Sequence, residues 1–227
     1  MRSERSVAEA VTCKLIGVIR LRDQSLADHM QRTADVSCAL GAQMGADMET
    51  LDLLYTAGLL HDVGKIAIPE AILWKPCGLT RSEWRVMRSH PTEGHRLVSD
   101  VMEREVVSAV LNHHERMDGE GYPRGLDGRT LPMVARIVQV ADAFDAMTSE
   151  RPYRSALETP LALAEVIRCA GSQFDGEVAA ALAAIFDGRS ERQPPGERSY
   201  TPAFLGLTAA VEPGGVAYLV RFGDRPA

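Results

Sequence analysis

Leu51, Leu54, Tyr55, Gly58, Leu59 and Asp62 recur at i, i+3, i+4, i+7, i+8 and i+11. That spacing sets all six on one face of an α-helix. The face is apolar until it ends in a carboxylate, with His61 directly before it. An acid on a core-facing stripe is costly unless a partner satisfies it. Val134, Ile137, Val138, Ala141, Asp142 and Asp145 repeat the pattern. The chain must therefore pack helices so that buried acids meet their partners.

The helical pattern runs from about residue 26 to 187, with strand-like alternation nearly absent, and predicts an all-α fold. Thr80-Arg81-Ser82-Glu83 reads as a capping box. Thr159-Pro160 reads as an N-cap followed by proline in the first turn, and Gly171 as the stop. Asp175 to Phe186, ended by Gly188, is a further helix. One long non-helical stretch, Glu115 to Leu131, is rich in glycine, and a loop of that length in a compact domain is usually functional.

The expected organisation is an N-terminal helical segment over 1–21, a main domain over 22–189, and a linker and C-terminal tail over 190–227. Pro194-Pro195 marks the linker. Val216–Phe222 is the one strand candidate in the tail.

The 227 residues, 45% hydrophobic, are enough for one large core, and the formal net charge is −6. An acidic chain is a poor general binder of DNA, since that affinity comes from basic surface. An anionic small ligand remains compatible if metals and a few cations reverse the field locally. The four cysteines (Cys13, Cys38, Cys77, Cys169) are scattered, with no CxxC, as expected of thiols in a reducing cytoplasm. No stretch approaches the roughly 18 apolar residues of a membrane span. The expectation is a soluble, cytoplasmic protein.

Seven residues of metal-ligand type appear in order: His29, His61, Asp62, His90, His113, His114 and Asp142. Five of the chain's six histidines are in this series, and His95 is left as structural or supporting. Any one of them alone would read as a satisfied core or surface residue. Together, beside apolar runs, they point to a shared metal site. Nitrogen and oxygen donors without thiolate suit Fe, Mn, Zn, Co or Ni. Seven donors exceed one tetrahedral site and suggest two ions roughly 3.5–4 Å apart, the arrangement used on phosphate esters.

These residues sit in longer motifs. His61-Asp62-Val63-Gly64-Lys65-Ile66-Ala67-Ile68-Pro69 comes first. His90-Pro91 with Gly94 follows, and then His113-His114-Glu115-Arg116-Met117-Asp118-Gly119-Glu120-Gly121-Tyr122-Pro123. Ala141-Asp142-Ala143-Phe144-Asp145 and Arg151-Pro152-Tyr153-Arg154 complete the series, with Arg22-Asp23, His29 and Arg32 upstream. Over residues 22–187 the chain resembles the HD-GYP phosphodiesterases, a branch of the HD superfamily of metal-dependent phosphohydrolases.

The resemblance implies an HD-domain helical bundle with an appended glycine-rich GYP loop, and hydrolysis of the bacterial signal cyclic di-GMP to pGpG and on to GMP. It implies that His29, His61, Asp62 and Asp142 hold one ion, Fe or Mn first. Asp62 would bridge to a second ion held by His90, His113 and His114. Some members add a third ion through a glutamate four residues before the first histidine. Ser25 stands there, so two ions are expected.

Water shared by two ions gives hydroxide near neutral pH, in-line attack follows, and the 3′-oxygen leaves. Lys65, three residues past Asp62, is a candidate phosphate contact or proton source, or a solvated lysine at a helix end. Arg151 and Arg154 are candidate forks for two phosphates, or a solvated basic face. Asp145 either contacts substrate or orients a ligand, with a surface carboxylate as the bland alternative. Gly121, Tyr122 and Pro123 either shape the pocket mouth or recruit a partner such as a diguanylate cyclase.

Two other readings stay open. One is a non-catalytic sensor or interaction module that keeps the ligands for structure. The other is an HD hydrolase of a different cyclic dinucleotide. A homodimer is also left open. No receiver or sensor domain is evident in the sequence, so control by association or expression is the expectation.

Overall fold

The structure, a computed structural model, describes residues 2–150 and 155–186, with the side chains of 2–6 left out of the description. Among the described residues ten α-helices follow in order: α1 (Arg2–Arg22), α2 (Gln24–Gln43), α3 (Met48–Leu60), α4 (Glu70–Leu73), α5 (Arg81–Met87), α6 (His90–Val98), α7 (Arg104–Asn112), α8 (Met133–Thr148), α9 (Thr159–Arg168) and α10 (Gly176–Phe186). Two 3-10 turns, Val63–Ala67 and Gly128–Thr130, lie between them. Among the described residues the only β pairing is an isolated bridge between Ala170 and Phe174. The expected all-α class is what forms.

The apolar stripes dictate the packing. Helix α2 lies along α3 and α8, and α7 packs against α3, α6 and α8. Leu40, Leu54, Leu60, Val106, Val110, Val138 and Ala141 meet in one core. Each buried aliphatic chain of this kind contributes about 1.5–3 kcal/mol. Ala8 and Ile19 of α1 are buried in the same core, so this helix belongs to the bundle's packing.

Helix starts follow local chemistry. Asp23 and Asp47 accept from the backbone N–H of Leu26 and Thr50 and cap α2 and α3. The Thr80–Glu83 capping box is present at α5. The start of α9 differs from the sequence expectation by one residue. Thr159 is already its first residue, Glu158 holds the N-cap position with no side-chain cap, and Pro160 lies in the first turn. Asp175 caps α10, accepting from Glu177 and Val178, while its other oxygen takes Arg136 at 2.5 Å.

Helices α4 and α5 contribute no buried residue. They are tied down at one end by Trp74, whose ring N–H donates to Asp23 Oδ2 at 3.0 Å. Gly188, the linker and the strand expected at 216–222 lie outside the described residues, as do Arg151 and Arg154.

Candidate metal centre

The seven ligand-type residues converge, and six of the seven sit at helix ends or on α8. His29 is on α2. His61 ends α3 and Asp62 follows it. His90 begins α6, His113 ends α7 with His114 after it, and Asp142 is on α8. Their donor atoms form two groups, each within 4.8 Å of one another. One is Asp62, His90, His113 and His114, and the other is His29, His61 and Asp142. Asp62 joins the groups, for its Oδ1 is 3.1 Å from His90 Nε2 and its Oδ2 is 3.4 Å from His61 Nε2 and 3.7 Å from His29 Nε2.

Backbone geometry explains why the imidazoles aim inward. The last carbonyls of a helix lack intrahelical donors. His61 Nδ1 donates to Gly58 O at 2.7 Å, at the end of α3. His90 Nδ1 donates to Met87 O at 2.8 Å, at the end of α5. His113 Nδ1 donates to Val110 O at 2.9 Å, at the end of α7. His29 Nδ1 instead donates to Asp145 Oδ2 at 2.7 Å. Each Nδ1–H is thus spent outward, which leaves Nε2 as the atom that faces the centre.

Charge follows the same layout. Burial opposes ionisation of Asp62, but Lys65, His61 and His90 outweigh it and hold the carboxyl well below its usual range. Burial likewise opposes the charge on Asp142, and His29, His61 and His114 keep it ionised. Burial, reinforced by neighbouring imidazoles, keeps His113 neutral, and burial pushes His114 down to about 3. His29 goes the other way: burial would lower its pKa, but Asp142, Asp145 and Asp62 raise it.

The fit to a cation rests on atoms that nothing in the protein satisfies. His61 Nε2 and Asp62 Oδ1 are buried without a hydrogen-bond partner. His90 Nε2 and His113 Nε2 face each other at 3.3 Å, and the neutral His113, with Nδ1 on Val110 O, turns an acceptor Nε2 inward. Unpaired buried acceptors cost roughly 1–3 kcal/mol each. A divalent ion among nitrogen and oxygen donors removes that cost at once. The residues present fit metal.

Lys65 Nζ lies 2.5 Å from Asp62 Oδ2. Its 3-10 turn is fixed from two sides. Arg22 donates to the carbonyls of Lys65, Ile66 and Ile68, a clamp that sequence reasoning missed. Gly64 packs backbone to backbone on α6, where a Cβ would overlap the His90 carbonyl and the Gly94 N–H.

Asp145 is buried, with Arg32 Nε at 2.6 Å and Nη2 at 3.1 Å besides His29. That geometry favours the orienting role over substrate contact.

The glycine-rich loop is organised by Glu115, also missed from sequence. Its buried carboxylate accepts from the backbone N–H of Arg124 at 2.7 Å and Leu126 at 2.9 Å. Gly121 passes against the Glu115 and Arg116 backbone, leaving no room for a side chain. Tyr122, followed by a cis bond to Pro123, stacks on His114 with ring centroids 4.7 Å apart and planes at 27°. His95 is half-buried on α6 and belongs to neither donor group.

The helical bundle and the clustered donors define a class of all-α fold with a candidate metal centre, and the comparisons say which family it is. The profile of the HD domain family matches residues 15–178. The chain belongs to the HD domain family, and its motif series sets it in the HD-GYP branch. A cyclic di-GMP phosphodiesterase response regulator of Xanthomonas campestris is 42% identical over 172 residues, covering 74% of this chain and 46% of the relative. A 3′3′-cGAMP-specific phosphodiesterase of Vibrio cholerae is 37% identical over 149 residues, covering 65% of this chain and 35% of the relative. The chain thus spans less than half the length of these relatives. Among solved structures, an HD-GYP-type protein of Bdellovibrio bacteriovorus superposes with a TM-score of 0.63 at 20% identity, covering 82% of this chain and 64% of that one. This likeness concerns the fold. No helix among the described residues is long and apolar enough to cross a membrane.

Proposed function

We propose that the chain is a metal-dependent phosphodiesterase that opens cyclic di-GMP to pGpG and carries it on to GMP. The observation that carries this reading is the pair of adjacent donor groups, with Asp62 of one reaching towards His61 and His29 of the other, and with buried acceptor atoms left for a cation. His29, His61, Asp62 and Asp142 would hold one ion, and Asp62, His90, His113 and His114 the other. The donor set suits Fe or Mn first, with Zn, Co and Ni also compatible. Divalent ions held there would supply an activated water and offset charge on the scissile phosphate.

The chain's own residues do the rest. Asp62 stands between the two groups, and its low pKa keeps it ionised. Lys65, held at the centre's edge by Arg22 and Asp62, presents N–H donors to a phosphoryl oxygen and a proton to the leaving 3′-oxygen. Asp145 fixes the tautomer of His29. Arg151 and Arg154 remain proposed phosphate contacts on their motif alone. Residues 22–189 are taken as the catalytic unit, with a homodimer and a cytoplasmic location as parts of the same reading. Four free cysteines suit a reducing compartment.

A second substrate is favoured by a specific finding, because relatives of similar identity are named for cyclic di-GMP and for 3′3′-cGAMP. Recruitment of a diguanylate cyclase would use the exposed Pro123–Arg124 side of the loop, since Tyr122 is turned onto His114.

The deciding experiment loads purified protein with Fe(II) or Mn(II) without oxygen and resolves the products of cyclic di-GMP and 3′3′-cGAMP. Hydrolysis lost in His61→Ala supports the reading. Intact substrates with loaded wild-type protein would leave the non-catalytic module in its place.

A further inference from the structure

A cavity of about 280 Å³ opens beside the donor groups, lined in part by Arg88, His114, Arg116, Tyr122 and Asp142. His114 and Asp142 belong to both, so the cavity and the centre share walls. Its two arginines are in different states. Arg116 is committed, with Nε and Nη2 on Asp118 at 2.9 and 2.5 Å and Nη1 on Gln173 Oε1 at 3.1 Å. The Arg88 side chain makes no hydrogen bond or ion pair among the described residues. It lies over aromatic rings, with the guanidinium carbon 4.9 Å from the Tyr122 ring centroid and 5.9 Å from that of Trp84.

Guanidinium, phenol ring and imidazole therefore form a series from the cavity mouth to His114. A guanidinium held by aromatic rings alone keeps its N–H donors uncommitted. Those donors match two oxygens of one phosphate. The chain's net charge of −6 gives no general attraction for an anion, so an unspent cation at this wall matters.

We propose that Arg88 binds the second, non-scissile phosphate of a cyclic dinucleotide, and that Tyr122 is the plate that positions it. The proposal rests on the phosphodiesterase reading and names a contact that the sequence motifs did not supply. With one phosphate of the ring at the ion centre, the other needs a cation at a distance from it. Tyr122 then serves as a positioning residue, joining the phosphate-binding arginine to a residue of the centre.

The test compares wild-type protein, Arg88→Ala, Arg88→Lys, Tyr122→Phe and Tyr122→Leu, all metal-loaded. Substrates are cyclic di-GMP, cyclic di-AMP and bis(p-nitrophenyl) phosphate, which has one phosphate. Arg88→Ala should raise KM for both cyclic dinucleotides on the order of ten- to a hundredfold, with kcat much less affected. The rise for the one-phosphate substrate should be at least about tenfold smaller. Arg88→Lys should recover part of the loss, and Tyr122→Phe should keep most of the affinity. Arg88→Ala combined with Tyr122→Leu should add little to either alone.

Equal losses on all three substrates, or an unchanged KM, would overturn the proposal. So would a loss confined to the guanine-containing ring, which would make Arg88 a base reader. If wild-type protein hydrolyses nothing, the phosphodiesterase reading fails separately. Calorimetric Kd values of wild type and Arg88→Ala for the intact dinucleotide then decide the role of Arg88: a tenfold difference keeps it and equality removes it.

Discussion

His29 Nδ1 donates to Asp145 Oδ2 at 2.7 Å, leaving His29 Nε2 3.1 Å from Asp142 Oδ1. This is the one imidazole among His29, His61, His90 and His113 whose Nδ1 is set by a side chain instead of a helix-end carbonyl. It is therefore the one whose orientation a single substitution can release. Asp145→Ala should weaken binding at the His29 side by roughly 10- to 100-fold. Titration with Mn(II) should then show one site weakened and the other near its wild-type affinity.

Gly64→Ala is a second local test. Its methyl group would meet the His90 carbonyl and the Gly94 N–H, which belong to rigid backbone. The 3-10 turn carrying Lys65 must then move away from α6. Destabilisation of about 1–3 kcal/mol is expected in urea unfolding. Activity at saturating substrate should fall as well, because Lys65 no longer meets Asp62. A variant with wild-type stability and kcat would show that the contact is slack.

The repeats that carried Asp62 and Asp142 onto apolar faces were legible because a carboxylate on a core stripe demands a partner. Their convergence with His29 and His90 was legible only through the motif series, since spacing within one helix says nothing of where another helix lies. The roles of Arg22 and Glu115 were not legible, although both residues stand in the motif series. Both act on backbone groups of distant turns, Arg22 on the carbonyls of Lys65, Ile66 and Ile68 and Glu115 on the N–H of Arg124 and Leu126. A backbone partner leaves no residue type to recognise. The substrate role set out for Asp145 assumed an open carboxylate, and His29 and Arg32 engage it.

Glu115 gives a prediction for the loop. Glu115→Ala removes both acceptors that fold the backbone around Arg124 and Leu126. A loss of about 2–3 kcal/mol is expected from two charge-assisted bonds, part of which water recovers. Proteolytic nicking between Gly119 and Gly125 should accelerate more than global unfolding does. Glu115→Gln, which keeps one acceptor, should fall between the two.

Asp35 sets a pH dependence away from the centre. Burial raises its carboxyl from 3.8 to about 6, against the lowering effects of Gln31 and Arg32. The folded state therefore holds this proton more tightly than the unfolded chain. The stability it contributes is complete below about pH 4 and is lost as pH rises through 6. Asp35→Asn should be more stable than wild type at pH 7, and the difference should vanish towards pH 4. Urea unfolding of both proteins at intervals across that window checks the sign, and a constant difference would contradict it.

Anomalous diffraction from crystals loaded with Mn(II) tests the bimetallic centre most directly. Two peaks are expected, one among His29, His61 and Asp142 and one among His90, His113 and His114, with Asp62 between them. A single peak, or peaks that bypass Asp62, would contradict the shared centre on which the proposed hydrolysis depends.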